Sequence, residues 1–102
     1  MLVSDARFAG QIHSPDGEVL HFDDPGCVLL HAHGTPREDL ILYFHHVTED
    51  RWLTGDEARF APTEATPMEY GLGAVNAEAP GALSRADAVA QVLTRERARR
   101  SP

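Results

Sequence analysis

Lysine is absent from this chain of 102 residues: all nine basic side chains are Arg, set against 16 acidic ones, for a formal net charge of −7. The few cations are also badly placed to hold a polyanion. Residues 1–83 carry 4 Arg against 14 acids, a balance of −10, whereas residues 84–102 carry 5 Arg against 2 acids, a balance of +3. An acidic body with a short basic tail argues against nucleic acid or anionic membrane as the main partner, since both need clustered cations to displace counterions. Cysteine is nearly absent too. The single Cys27 can form no disulfide within the chain and no Cys-rich zinc site, so redox logic leaves the compartment open. No apolar run approaches the roughly 20 residues needed to span a bilayer, and the sequence as given opens without the charged and apolar regions of a secretory signal. A Ser-His-Asp signature, a phosphate-binding Gly loop and an HExxH pair are all missing, which leaves an enzymatic reading without a motif.

What is present suits a small globular domain. The hydrophobic share of 42% and charged share of 25% are ordinary, and the length allows a modest core in one domain. Ala6 to His13, then Ser14-Pro15-Asp16-Gly17, then Glu18 to Phe22 reads as a β-hairpin, with Gly17 free to take positive φ. Asp23 or Asp24 can cap a helix that starts at Pro25 and runs to about Ala32, with Val28, Leu29 and Ala32 turned inward and Gly34-Thr35-Pro36 as its stop. The segment Leu40 to Val47 is dense in β-formers and reads as a buried strand, and Trp52-Leu53 as the return strand of a second hairpin. Thr54 is expected to cap a short helix through Phe60 that ends at Pro62. Thr66 to Val75 reads as a loop entering a Gly-rich strand, where Gly71 and Gly73 mark a close backbone approach or a bulge. A C-terminal helix capped by Ser84 follows, with Ala86, Val89, Ala90 and Leu93 at helical spacing and cations towards its end.

Several side chains could carry chemistry. Six His occur, including His31-x-His33 and His45-His46, and neutral imidazole suits copper and zinc alike. Adjacent strand residues point to opposite faces, so His45 and His46 cannot both face one ion, and His31 and His33 do not share a helix face. His46 or His13 is the better His candidate, and His31 also reads as dipole compensation at a helix end. Asp23 and Asp24 read as helix caps before they read as acid–base catalysts. Cys27 reads first as a small apolar residue packing the first helix, and second as a thiol that the dipole at a helix start could acidify. Met68 taken alone reads as a gap-filling core residue.

Two segments about forty residues apart, Phe22-Asp23-Asp24-Pro25-Gly26-Cys27 and Thr66-Pro67-Met68-Glu69-Tyr70-Gly71-Leu72-Gly73-Ala74, change the weight of Met68. Together they resemble the NosL family of copper chaperones for nitrous oxide reductase maturation. The likeness runs from about Val3 to Val75, takes in Trp52 to Ala58, and fades beyond Ala77. It implies an α+β fold of two small ββαβ-type units with antiparallel sheets, here divided as residues 1–37 and 38–80, with residues 81–102 as a C-terminal helix and tail. The family carries a Cys-x-Met motif shortly before a stretch like Ser4-Asp5-Ala6-Arg7-Phe8-Ala9. Met1 therefore falls on the Met of that motif, and its Cys would lie two residues further upstream.

The resemblance implies Cu(I) as cargo, with Met68 and Met1 as thioether ligands; from the residues themselves, Cys27 stands beside them as a surrogate ligand and His46 as an additional donor. Soft thioethers select Cu(I) over harder competing ions. It implies as partners a copper-enzyme recipient or its assembly machinery, and a periplasmic or lipid-anchored location; a homodimer that bridges copper would compensate for missing ligands. Two other readings stand beside it: a metal-free protein-contact module that keeps the fold, and an enzyme like the related organomercurial lyases, whose chemistry demands more thiolates than the one present.

Overall fold

The structure is a computed structural model that describes residues 6–35, 38–63, 66–68 and 70–100. Among the described residues it is an α+β fold with two antiparallel sheets and two α-helices. After a 3₁₀ turn at Ala6–Phe8, β1 (Gly10–His13) and β2 (Val19–Phe22) form the expected hairpin, in register Gly10 with Phe22 and His13 with Val19. Its turn closes through Gly17 N to Ser14 O at 3.0 Å, and Gly17 adopts φ 91°, where a Cβ would be strained.

Helix α1 (Pro25–Gly34) starts where Asp24, in extended conformation at φ −149°, turns its side chain onto Gly26 N, and Pro25 fills the first helical position. Val28 and Leu29 are buried and Ala32 is half-buried. Strand β3 (Ile41–His45) pairs with β1 on one side and with β4 (Trp52–Thr54) on the other, giving the order β2-β1-β3-β4. Alternation then sorts the side chains. Ile12, Leu42, Phe44 and Leu53 are buried and join the core with α1 residues, whereas Val19, Ile41 and Trp52, on the opposite face, are exposed.

The helix expected from Thr54 to Phe60 is corrected by the structure to a single turn followed by strand β5 (Arg59–Pro62). Its start signal is real: Thr54 Oγ1 donates to Glu57 Oε1 at 2.9 Å, Thr54 N donates to the same oxygen at 3.1 Å, and Ala58 N reaches Thr54 O at 3.0 Å. Ala58 and Phe60 are both fully buried with half-buried Arg59 between them, and that period of two selects a strand. Phe60 meets Phe44 edge-to-face at 5.0 Å between centroids. Strand β6 (Leu72–Val75) pairs with β5 as a two-stranded sheet and is buried throughout. Gly73 marks the expected close approach, since a Cβ there would lie 2.7 Å from a Val47 methyl. The two sheets meet where Val47 N donates to Ala74 O at 2.9 Å beside a parallel bridge between His46 and Ala74.

Helix α2 (Arg85–Arg100) is capped by Ser84, whose Oγ accepts Asp87 N at 3.2 Å. The inward face is rotated from the one expected. Ala88 and Val92 are fully buried, Val89 and Leu93 half-buried, and Ala86 and Ala90 exposed. α2 packs against α1 and β5, so the core cluster runs from Ile12 through Val28, Phe44 and Leu72 to Val92. Among the described residues no helix is long and apolar enough to cross a membrane.

Candidate functional site

The segment before α1 builds one half of the candidate site. Asp24 is fully buried, and both carboxylate oxygens are engaged: Oδ1 accepts Gly26 N at 2.9 Å, and Oδ2 accepts Met68 N at 2.9 Å. Asp23 Oδ1 is buried without a hydrogen-bond partner among the described residues. Gly26 is small for a steric reason, because a Cβ there would collide with the ring of Tyr70. Cys27, half-buried, follows in the same first turn.

The loop from Thr66 builds the other half. Gly71, in the left-handed region at φ 74°, donates its N–H to Thr66 Oγ1 at 3.2 Å and reverses the chain into β6. Met68 O accepts from the Arg99 guanidinium, whose Cζ lies 4.6 Å from the centroid of the Tyr70 ring. Tyr70 O accepts Gln91 Nε2 at 3.0 Å, and Tyr70 OH donates to Glu96 Oε2 at 3.0 Å. Thus Asp24 grips the loop from α1, and Gln91, Glu96 and Arg99 grip it from α2.

The electrostatics of Cys27 run opposite to the sequence expectation. Its thiol is pushed up to about 11, first by burial and then by the Asp24 carboxylate, with Asp23 and Glu96 adding to the effect and Arg99 opposing it. Burial leads the reversal and the cap adds to it, since the helix start that should stabilise a thiolate is already held by a carboxylate. Tyr70 is also raised above its ordinary value, by burial and then by its bond to Glu96.

The structure brings the Cys27 and Met68 segments to one end of α1. Met68 is 43% exposed, so it is not filling the core. Cys27 and Met68 are the sulfur-bearing residues of the two segments, which the bond from Met68 N to Asp24 Oδ2 holds at the same helix start, and Asp23 adds negative charge near Cys27. Met1 lies outside the described residues.

His46 sits elsewhere, buried at the junction of the two sheets. Its Nδ1 accepts from Thr48 N and Glu49 N, both at 3.1 Å, which places the proton on Nε2. Nε2 is buried without a hydrogen-bond partner, 3.4 Å from Glu49 Oε2. The neutral ring therefore has no lone pair to offer a metal. His45 turns to the other face, as adjacent strand residues should, edge-on to Trp52 with Nδ1 2.8 Å from His46 O. His13 bonds Gln11 at 2.8 Å, and His31 lies against Phe22 at 5.6 Å. Among the described residues no group of three or more His, Cys, Asp or Glu side chains could hold a metal ion.

Sequence reasoning picked out both segments but missed the residues that join them. Tyr70, Gln91, Glu96 and Arg99 carried no signal of their own; a Gly two residues after the cap hinted that something large lies on the first turn of α1. Compared with known proteins, the chain matches no protein-family model, no curated protein and no solved structure.

Proposed function

We propose that the chain is a NosL-like accessory protein that carries Cu(I) to an extracytoplasmic copper enzyme such as nitrous oxide reductase, and that it catalyses no reaction itself. The observation that carries this reading is the shared carboxylate of Asp24, which ties the loop of Met68 to the first turn of α1 beside Cys27. A surface-exposed thioether and a half-buried thiol at one end of a helix are soft donors of the type that select Cu(I). The negative charges of Asp23, Asp24 and Glu96, which add to burial in keeping the thiol protonated, equally favour an arriving cation. Binding through Cys27 would then release its proton as copper displaces it.

The test is an anaerobic titration with Cu(I) against a chromophoric chelator, run with the native chain, Met68→Ala and Cys27→Ser. One-to-one binding weakened in both variants is the expected result. If Cys27 serves as a thiolate, affinity rises about tenfold per pH unit through the neutral range, because each bound ion displaces one proton. Binding that ignores pH would assign the site to thioethers alone. Failure of the native chain to compete would favour the metal-free protein-contact module.

A further inference from the structure

A cavity at the other end of α1 is independent of the copper reading. Its volume is about 550 Å³, within the range of small-molecule sites. Leu29, Leu42 and Val89 give it apolar walls, and Glu38, Asp56 and Arg85 supply charge. The Arg85 guanidinium lies directly over Gly55, where the missing side chain makes room for it. Although these three charged groups line one space, no ion pair joins them, and among the described residues none has an ion-pair partner elsewhere. They come from three separate segments: Arg85 opens α2, Asp56 sits in the turn between β4 and β5, and Glu38 lies on the segment entering β3. Arg85 also stands at the positive end of the α2 dipole, which adds to its pull on an anion.

We infer that this cavity binds a small zwitterion with an apolar side chain, an α-amino acid or a short apolar peptide. Its carboxylate pairs with Arg85, its ammonium with Asp56 or Glu38, and its side chain lies on Leu29, Leu42 and Val89. A plain carboxylic acid would set its charge beside two carboxylates with nothing to offer them. A plain amine would leave Arg85 unanswered. A ligand with both charges and an apolar body answers the cation, the carboxylates and the apolar wall together.

The experiment follows backbone amide shifts of the full chain by NMR during titration with L-leucine, leucyl-leucine, 4-methylpentanoate and 3-methylbutylamine. Saturable shifts near Leu42, Gly55 and Val89 are expected with a zwitterion, and the first two arms separate free amino acid from peptide. Each singly charged analogue, and each of Arg85→Gln and Asp56→Asn, is expected to bind at least about tenfold more weakly, while Arg85→Lys keeps part of the affinity. The proposal is overturned if neither zwitterion saturates by about 20 mM, far above the working range of a specific site. It is equally overturned if 4-methylpentanoate binds as tightly as leucine, or if a folded Arg85→Gln binds unchanged.

Discussion

Asp24 and Met68, 44 residues apart in sequence, are joined by a hydrogen bond of 2.9 Å from the Met68 backbone N–H to the Asp24 carboxylate. The same carboxylate caps α1 through Gly26 N, so a helix start and a distant loop depend on one buried group. Asp24→Asn keeps one acceptor oxygen but must present its amide nitrogen to one of two N–H donors. A loss of about 1–3 kcal/mol in urea unfolding is expected, with faster hydrogen exchange at the Met68 amide. Unchanged exchange at Met68 would show that the loop is held without Asp24.

Cys27 supplies a pH-dependent prediction. Folding raises its thiol from an ordinary 9.0 to about 11, so the native state holds a proton that the unfolded chain gives up first. Its contribution to stability is therefore intact below about pH 9 and lost as pH climbs towards 11. Thermal unfolding from pH 8 to 11 should show an alkaline decline that is shallower in Cys27→Ala. Tyr70 shifts in the same direction, so the slope should shrink and not vanish. Alkylation of Cys27 by iodoacetamide at pH 8 should also lag well behind a free thiol.

Gly26 faces the Tyr70 ring with no space for a Cβ. Gly26→Ala should cost about 1–3 kcal/mol by overpacking, less the gain of up to about 1 kcal/mol that Ala brings to a helix. Tyr70→Phe, which removes only the bond to Glu96, should cost about 1 kcal/mol or less. Chemical denaturation of both variants ranks the two; a more costly Phe variant would mean that the hydroxyl and not the ring seats the loop.

Phe44 on β3 and Phe60 on β5 are both fully buried and meet edge-to-face, one from each sheet. Replacing either by Ala should cost about 3–5 kcal/mol. The double-mutant cycle should return a coupling of about 0.5–1.5 kcal/mol, the range for such aromatic pairs. Strict additivity would indicate that the sheets are stabilised separately.

Local signals made much of the fold legible. Pro15-Asp16-Gly17 announced the first turn, and Asp24-Pro25 announced α1. Where local and tertiary demands competed, the sequence misled. Thr54 and Glu57 carry a true helix-start signal, but the burial of Ala58 and Phe60 pulled the chain out straight after one turn. Small alanines gave α2 no clear inner face, and packing settled on Ala88 and Val92. At the candidate site, Cys27 and Met68 were readable as soft donors, whereas the charge state of Cys27 was not. The helix dipole and the Asp24 cap are local properties, but the burial that does most to raise the thiol depends on the fold.

The loop bearing Met68 draws most of its anchors from Gln91, Glu96 and Arg99 of α2. A ribosome releases these residues last of the described elements, after both sheets and α1 have emerged. A nascent chain therefore presents its thiol and thioether with the Asp24 anchor already made and the α2 side of the clamp still to come.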